Sequence, residues 1–221
     1  MQLVVQYTSE LITAVSLFIG AILLARFTWN RVKNLPPEEK HFGRPLWVAV
    51  GSVFFLGLTS LVNFWYGSGM SELEIFWYIT AVIGSGLLMV SALMIMGSRK
   101  LAIIPLGMMV VISVIAYAET IIGAGTVLGG FTDYAVNFFA LVLFSIPLAL
   151  FSYLTYTTRR VTSLALAVVS LTYPLILVAT AFTDPSIVTA ILGLRLYGPA
   201  VLVTALFLPE SKIGAELIAY S

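Results

Sequence analysis

The stretch from residue 79 to residue 118 reads ITAVIGSGLLMVSALMIMGSRKLAIIPLGMMVVISVIAYA. Two long apolar runs flank the short segment GSRK, in which Arg99 and Lys100 are the only charges of the whole stretch. A membrane-crossing helix needs about 20 mostly apolar residues, because the hydrocarbon layer is ~30 Å thick and each helical residue rises ~1.5 Å. The stretch therefore predicts two membrane helices joined by a short basic loop.

The composition of the whole chain agrees with that interpretation. Of its 221 residues, 60% are hydrophobic and 10% are charged, whereas a soluble domain carries about 45–50% apolar and about 25% charged residues. A net charge of +1 and the lack of polar tracts argue against a disordered chain and against a nucleic-acid partner. The chain has no cysteine and a single histidine, which argues against disulfides, thiolate metal sites and histidine-rich metal centres. An integral membrane protein is predicted.

Seven segments satisfy the length criterion, and they predict an all-α membrane protein built as a single seven-transmembrane-helix bundle over residues 1–221. The predicted spans are about 9–29, 46–66, 72–96, 101–122, 133–156, 160–182 and 187–208. The first segment is longer than a signal peptide and is followed by no small-residue cleavage site, so we expect a retained helix.

The charges orient these spans. Ten basic residues follow the odd-numbered spans: Arg26, Arg31, Lys33, Lys40, Arg44, Arg99, Lys100, Arg159, Arg160 and Lys212. The opposite ends carry acids and no Lys or Arg: Glu10, Glu72, Glu74, Glu119, Asp133 and Asp184. Because basic loops stay in the cytoplasm, we predict an N-terminus outside, a cytoplasmic C-terminus and a multi-pass protein of the cell membrane.

Arg195 is the charged residue placed deepest inside a predicted span. It lies about eight residues into the seventh span, hence ~12 Å below the outer boundary. An arginine at that depth costs ~2.5–3.5 kcal/mol, so it should face the bundle and have a partner. Glu119 and Glu74, at outer helix ends, are the candidate ion-pair partners. The sequence leaves two roles open for Arg195: a structural tie between helices, or a contact for a ligand or anion.

Other polar residues are candidates for lining the same cavity. They are Tyr78 and Thr80 on the third span, Tyr173 on the sixth and Tyr197 on the seventh. Small polar residues in membrane bundles more often make hydrogen bonds between helices, and the GSG triplet at 84–86 predicts close helix approach. The sequence contains no Ser/His/Asp set, no Gly-rich phosphate loop and no paired carboxylates on one helix face, so neither an enzyme nor a metal site is predicted.

Several stretches resemble the microbial (type 1) rhodopsin family. EEKHFGRPLWVAVGSVFFLGLTSL at 38–61 is similar to its first cytoplasmic loop and second helix. GLLMVSAL at 86–93, with Tyr78 before it, occupies the place of its third-helix pattern, and LTYPLIL at 171–177 resembles its sixth-helix WxxYP signature. LGLRLYGPAVLVTALFLPESKIG at 192–214 can be laid on its seventh helix. The resemblance implies the family's seven-helix arrangement.

The departures from the family concern its chemistry. The family binds retinal as a Schiff base on a seventh-helix lysine four residues after an aspartate, and those places hold Pro199 and Arg195 here. The family's arginine, counter-ion aspartate and inner proton donor fall on Trp77, Thr80 and Ser91, and its sixth-helix tryptophan falls on Ser170. All four lysines lie in predicted loops or the tail: Lys33, Lys40, Lys100 and Lys212. No covalent cofactor and no light-driven proton pumping are therefore expected.

The sequence thus favours a receptor-like or accessory module without photochemistry. Its vacated cavity, lined by Arg195, Tyr173, Tyr78, Thr80, Tyr197 and Pro199, would hold an apolar ligand without a covalent bond, such as a lipid or isoprenoid. The partners expected are the lipid bilayer and a membrane protein or further copies of the chain. The alternative is a channel or transporter in which Arg195 attracts a small anion.

Overall fold

The computed structural model describes the backbone of residues 2–33, 36–39, 43–67, 73–98, 100–122, 131–158, 161–171, 174–175, 185–194 and 196–207. Side chains are described for most of these residues. The exceptions are 2–7, 66–67, 74–75, 78, 116–117, 119–122, 131–140, 144, 158, 161, 185, 188–189, 192 and 205–207.

The described chain is all-helical, as the apolar composition predicts, and it contains no strand over these ranges. The helices are α1 Gln2–Val32, α2 Arg44–Gly67, α3 Glu74–Ile95, α4 Ile103–Ile122, α5 Phe131–Thr158, α6 Val161–Ser170, α7 Pro185–Leu194 and α8 Tyr197–Phe207. Two stretches, Thr8–Val32 and Arg44–Trp65, are long and apolar enough to cross a membrane by length and composition. Shorter apolar helical stretches are Ile79–Ile95, Ile103–Ile115 and Leu141–Thr157.

The helices form a closed bundle. From α1 to α6, each helix packs against the next one along the chain, and α3 also contacts α5. Helix α8 packs against both α6 and α1, which closes the ring. Short connections make consecutive helices antiparallel neighbours. The contact between α8 and α1 places the last described helix beside the first.

In each of the last two predicted spans, a described helix ends a few residues before a proline. The predicted seventh span holds two helices, since α7 ends at Leu194 and α8 begins at Tyr197. Pro199 lies in the first turn of α8, a position that tolerates a residue without an N–H donor. In the predicted sixth span, α6 ends at Ser170 and helix is described again at Pro174. Proline disfavours the helical conformation of the residue before it and removes one backbone hydrogen bond, so helices commonly end there.

The GSG triplet brings α3 against both of its neighbours, which confirms the close approach predicted from it. A Cβ added at Gly84 would lie 2.7 Å from Cδ2 of Leu56 and 3.1 Å from the Leu56 backbone nitrogen on α2. A Cβ added at Gly86 would overlap the side chain of Met109 on α4. Ser85 between them is buried and donates to the Ala81 carbonyl at 2.8 Å.

The interior is filled by aliphatic and aromatic side chains from six helices. Residues at most 1% exposed include Leu17 and Leu24 on α1, Leu56 on α2, Leu88 on α3, Phe151 on α5, Leu166 on α6 and Leu202 on α8. A second cluster joins α3, α4 and α5 through Val82, Ile112 and Leu143. Burial of such side chains contributes about 1.5–3 kcal/mol each relative to exposure in water, and in lipid the same contacts act through close packing.

Candidate functional site

Three of the predicted cavity residues have described side chains. Thr80 is half-buried on α3, and its hydroxyl donates to the Phe76 carbonyl at 2.7 Å and the Trp77 carbonyl at 3.1 Å. Tyr197, the first residue of α8, is 64% exposed. Pro199 is buried in the first turn of the same helix. The Thr80 hydroxyl is thus used within its own helix, and Tyr197 lies at the bundle surface.

The other predicted site residues lie wholly or partly outside the described part. Arg195 and Tyr173 are outside the described residues. The backbone of Glu74 and Tyr78 lies in α3 and that of Glu119 lies in α4. The side chains of these three residues are outside the described part of the structure. The predicted pairing of Arg195 with Glu119 or Glu74 therefore remains a prediction.

The structure identifies a polar site that the sequence analysis missed. Glu10 on α1 is 1% exposed, although it lies in one of the two stretches apolar enough to cross a membrane. The side-chain amide of Asn63 on α2 donates to Oε1 of Glu10 at 2.8 Å. This hydrogen bond joins residues 53 positions apart in the chain and ties the first helix to the second.

Two hydroxyl residues extend this pair toward the middle of both helices. Thr13 follows Glu10 by three residues on α1, and Ser60 precedes Asn63 by three on α2; both are 1% exposed. Residues three apart share a helix face, so these four residues form one polar region between α1 and α2. The Thr13 hydroxyl donates to the Ser9 carbonyl at 2.8 Å. We call Glu10, Thr13, Ser60 and Asn63 the α1–α2 polar site.

This arrangement orients a buried carboxyl group between two helices. A buried carboxylate is costly unless neighbouring groups compensate its charge, and carboxyl groups inside membrane bundles commonly mark ion or proton binding. The Asn63 amide N–H that donates to Oε1 fixes the orientation of the carboxyl group. The site therefore supplies an oriented hydrogen-bond acceptor, the Glu10 carboxyl group, at one end of the α1–α2 interface.

The predicted start of the first span at residue 9 places Glu10 at a loop end. Helix α1 instead begins at Gln2, so Glu10 is more than two turns inside it. The available signal was the i, i+3 spacing of Glu10 and Thr13, matched by Ser60 and Asn63. That spacing indicates a polar face on each helix but does not show that the two faces meet.

Other buried hydroxyls tie α2 to α3. Ser52 donates to the Gly84 carbonyl at 2.5 Å, and Ser91 donates to the Pro45 carbonyl at 2.7 Å. Ser91 occupies the place of the inner proton donor in the rhodopsin resemblance, and here its hydroxyl crosses to the start of the neighbouring helix. Ser170 is also buried and donates to the Leu166 carbonyl at 2.8 Å. The hydrogen bonds of Ser52 and Ser91 are structural ties between helices of the kind predicted for small polar residues, whereas that of Ser170 stays within α6.

Among the described residues, no group of three or more His, Cys, Asp or Glu side chains is placed to hold a metal ion. No protein-family model matches the chain, and comparison with curated proteins and with solved structures gives no match.

Proposed function

We propose that this protein is a seven-pass membrane protein arranged like the microbial rhodopsins, and that it acts as a non-enzymatic receptor-like or accessory module. It binds an apolar ligand non-covalently, such as a lipid or isoprenoid, or a membrane partner. The observation that supports a module over a pore is the packed interior, to which α1, α2, α3, α5, α6 and α8 all contribute fully buried apolar side chains.

The distribution of side chains supports membrane insertion of the whole bundle. Large apolar residues are exposed on several helices: Ile22 of α1 is 69% exposed, Phe54 of α2 is 45% exposed and Val110 of α4 is 64% exposed. The buried set includes Glu10 and the hydroxyl residues of α1, α2, α3 and α6. Water would favour the reverse arrangement, whereas lipid favours apolar side chains outside and polar ones inside.

The charge distribution supports an N-terminus outside the cell. Arg31 lies in the last turn of α1, Arg44 begins α2, and Lys100 lies between α3 and α4, so these cations share one end of the bundle. We call this the basic end. Glu74 begins α3 and Asp133 lies in the first turn of α5, at the opposite end. A basic end facing the cytoplasm follows the positive-inside rule and suits the plasma membrane.

The orientation can be tested by cysteine labelling, because the natural chain has no cysteine to interfere. A cysteine at Ser68, between α2 and α3, is expected to react with a membrane-impermeant thiol reagent added to intact cells. A cysteine at Ser98, at the basic end, is expected to react only after the membrane is permeabilised. The opposite pattern would overturn the proposed orientation.

The module function predicts a bound apolar molecule or a protein partner. Native mass spectrometry of the protein purified in mild detergent is expected to show a co-purifying lipid-like mass or an additional membrane subunit. In vesicles, the protein is expected to pass chloride no faster than empty vesicles, because its interior is apolar and packed. Chloride flux that is abolished by Arg195→Met would contradict the module and support the anion-transport alternative.

A further inference from the structure

Two exposed tryptophans stand near the two ends of α2, on the same side of the helix. Trp47 is 41% exposed and Trp65 is 46% exposed. Positions 47 and 65 differ by 18 residues, which is five helical turns, so both side chains leave the helix in the same direction. Phe54 lies between them on this side and is exposed as well. We call Trp47, Phe54 and Trp65 the lipid face of α2.

The separation of the two tryptophans limits the hydrocarbon thickness that α2 fits. Tryptophan is enriched at the level of the lipid headgroups on both sides of a membrane. A rise of ~1.5 Å per residue separates Trp47 from Trp65 by about 27 Å along the helix axis. Both side chains tilt toward the start of α2, so their separation is kept. Any tilt of the helix shortens the thickness that it spans. The lipid face therefore fits at most about 27 Å of hydrocarbon, whereas a typical bilayer has ~30 Å.

Helix α4 gives a similar limit from its charges. Its outer surface is apolar, since Ile103 is 71% exposed and Val110 is 64% exposed. Lys100 is exposed just before the helix, and Glu119 lies in its last turn. The residues from 103 to 118 carry no charge, and this part of the helix rises by about 24 Å. Because charges are costly in hydrocarbon, α4 also fits a thin bilayer.

Helix α1 carries a tryptophan at the same height as Trp47. Trp29 is 61% exposed and lies three residues before Val32. The side chain of Val32 lies against Gly43, and Trp47 follows Gly43 by four residues. The heights of Trp29 and Trp47 therefore differ by only about 1.5 Å. Two neighbouring helices thus mark one headgroup level at the basic end.

The α1–α2 polar site lies close to the other headgroup level. Asn63, which donates to Glu10, precedes Trp65 by two residues, so this hydrogen bond lies about 3 Å inside the level of Trp65. A bilayer thicker than the distance between the tryptophans would place the Glu10 carboxyl group deeper in hydrocarbon, where polar groups cost more. The position of the buried carboxyl group therefore also favours a thin bilayer.

We propose that the bundle is matched to a thin bilayer, with about 24–27 Å of hydrocarbon, and that the lipid face of α2 sets this match. Its lipid partner is a sterol-poor bilayer, because sterol-rich membranes have a hydrocarbon thickness of about 32–33 Å. This proposal rests on the membrane location proposed above, and it adds the class of bilayer that surrounds the protein.

Competition between lipids of different chain length tests the match. The protein is reconstituted in vesicles that combine one reference phosphatidylcholine with brominated phosphatidylcholines of increasing chain length, chosen to give hydrocarbon thicknesses from about 20 to about 35 Å. Quenching of the exposed tryptophans reports how strongly each brominated lipid binds relative to the reference. We expect the strongest binding at about 24–27 Å and at least about two-fold weaker binding at about 33 Å, because mismatch carries a cost for each ångström.

A pair of double variants tests the role of the lipid face. Arg44→Leu/Trp47→Leu lengthens the apolar side of α2 by about one turn, so the strongest binding should move to a lipid that is about 2–5 Å thicker. The matched control is Glu38→Leu/Glu39→Leu, which adds two leucines at exposed positions of the α1–α2 connection. It is expected to keep the natural preference.

Three results would each overturn the proposal: strongest binding at about 30 Å or more, equal binding of all chain lengths, or the same preference in both double variants. Release of the protein from the vesicles by alkaline carbonate would instead contradict the membrane location itself.

Discussion

Asn63→Leu is expected to lower the free energy of unfolding by about 1–3 kcal/mol, because it removes the amide donor of a buried carboxyl group. The Asn63 amide donates to Oε1 of Glu10 at 2.8 Å, and Glu10 is 1% exposed. Leucine has the same number of side-chain heavy atoms and the same branching as asparagine, so the change leaves no cavity. The measurement is reversible unfolding in mixed detergent micelles, followed by circular dichroism.

A double-mutant cycle separates this contact from the rest of the site. In the presence of Glu10→Gln, the change Asn63→Leu should cost about 1 kcal/mol less than in the natural protein, because a neutral amide loses less than a carboxylate when its donor is removed. Asn30→Leu, at an exposed position on α1, is the matched control and should change stability by at most ~0.5 kcal/mol. Additive effects of the two site changes would contradict a direct coupling of Glu10 and Asn63.

The second large effect is expected from Gly84→Ala, which should destabilise the protein by about 1–3 kcal/mol through overpacking. The added methyl group would lie 2.7 Å from Cδ2 of Leu56 and 3.1 Å from its backbone nitrogen, and a helix backbone does not move as a side chain does. Separating α2 from α3 would also lengthen the hydrogen bond from Ser52 to the Gly84 carbonyl.

Two other glycines calibrate this result in the same unfolding assay. At Gly107 on α4, an added Cβ meets nothing within 4 Å, so Gly107→Ala should leave stability unchanged or raise it by up to about 1 kcal/mol through helix propensity. At Gly86 the obstacle is the side chain of Met109, which is flexible, so Gly86→Ala should cost less than Gly84→Ala. A Gly84→Ala variant as stable as Gly107→Ala would show that α2 and α3 do not pack as described.

Some packing features were predictable because they depend on local chemistry. The GSG triplet predicted close helix approach, because residues without large side chains let a neighbouring helix come close, whichever helix that neighbour is. Trp29, Trp47 and Trp65 are exposed close to the ends of α1 and α2, where aromatic residues of membrane helices are commonly found. The division of predicted span seven into α7 and α8 was harder to predict from the sequence. A proline one turn beyond the break can either kink a helix or begin a new one.

The sequence by itself determined the helical character of the chain, its apolar exterior and the separation of basic from acidic ends. These properties follow from composition and from the order of residues along single helices. Only the tertiary structure decided that Glu10 is buried against Asn63 and that α8 returns to α1. The reason is that the rotation of each helix about its axis, and its height relative to its neighbours, arise from side-chain packing between segments distant in sequence. A polar face on α1 and a polar face on α2 are visible in the residues, whereas their contact is a property of the packed bundle.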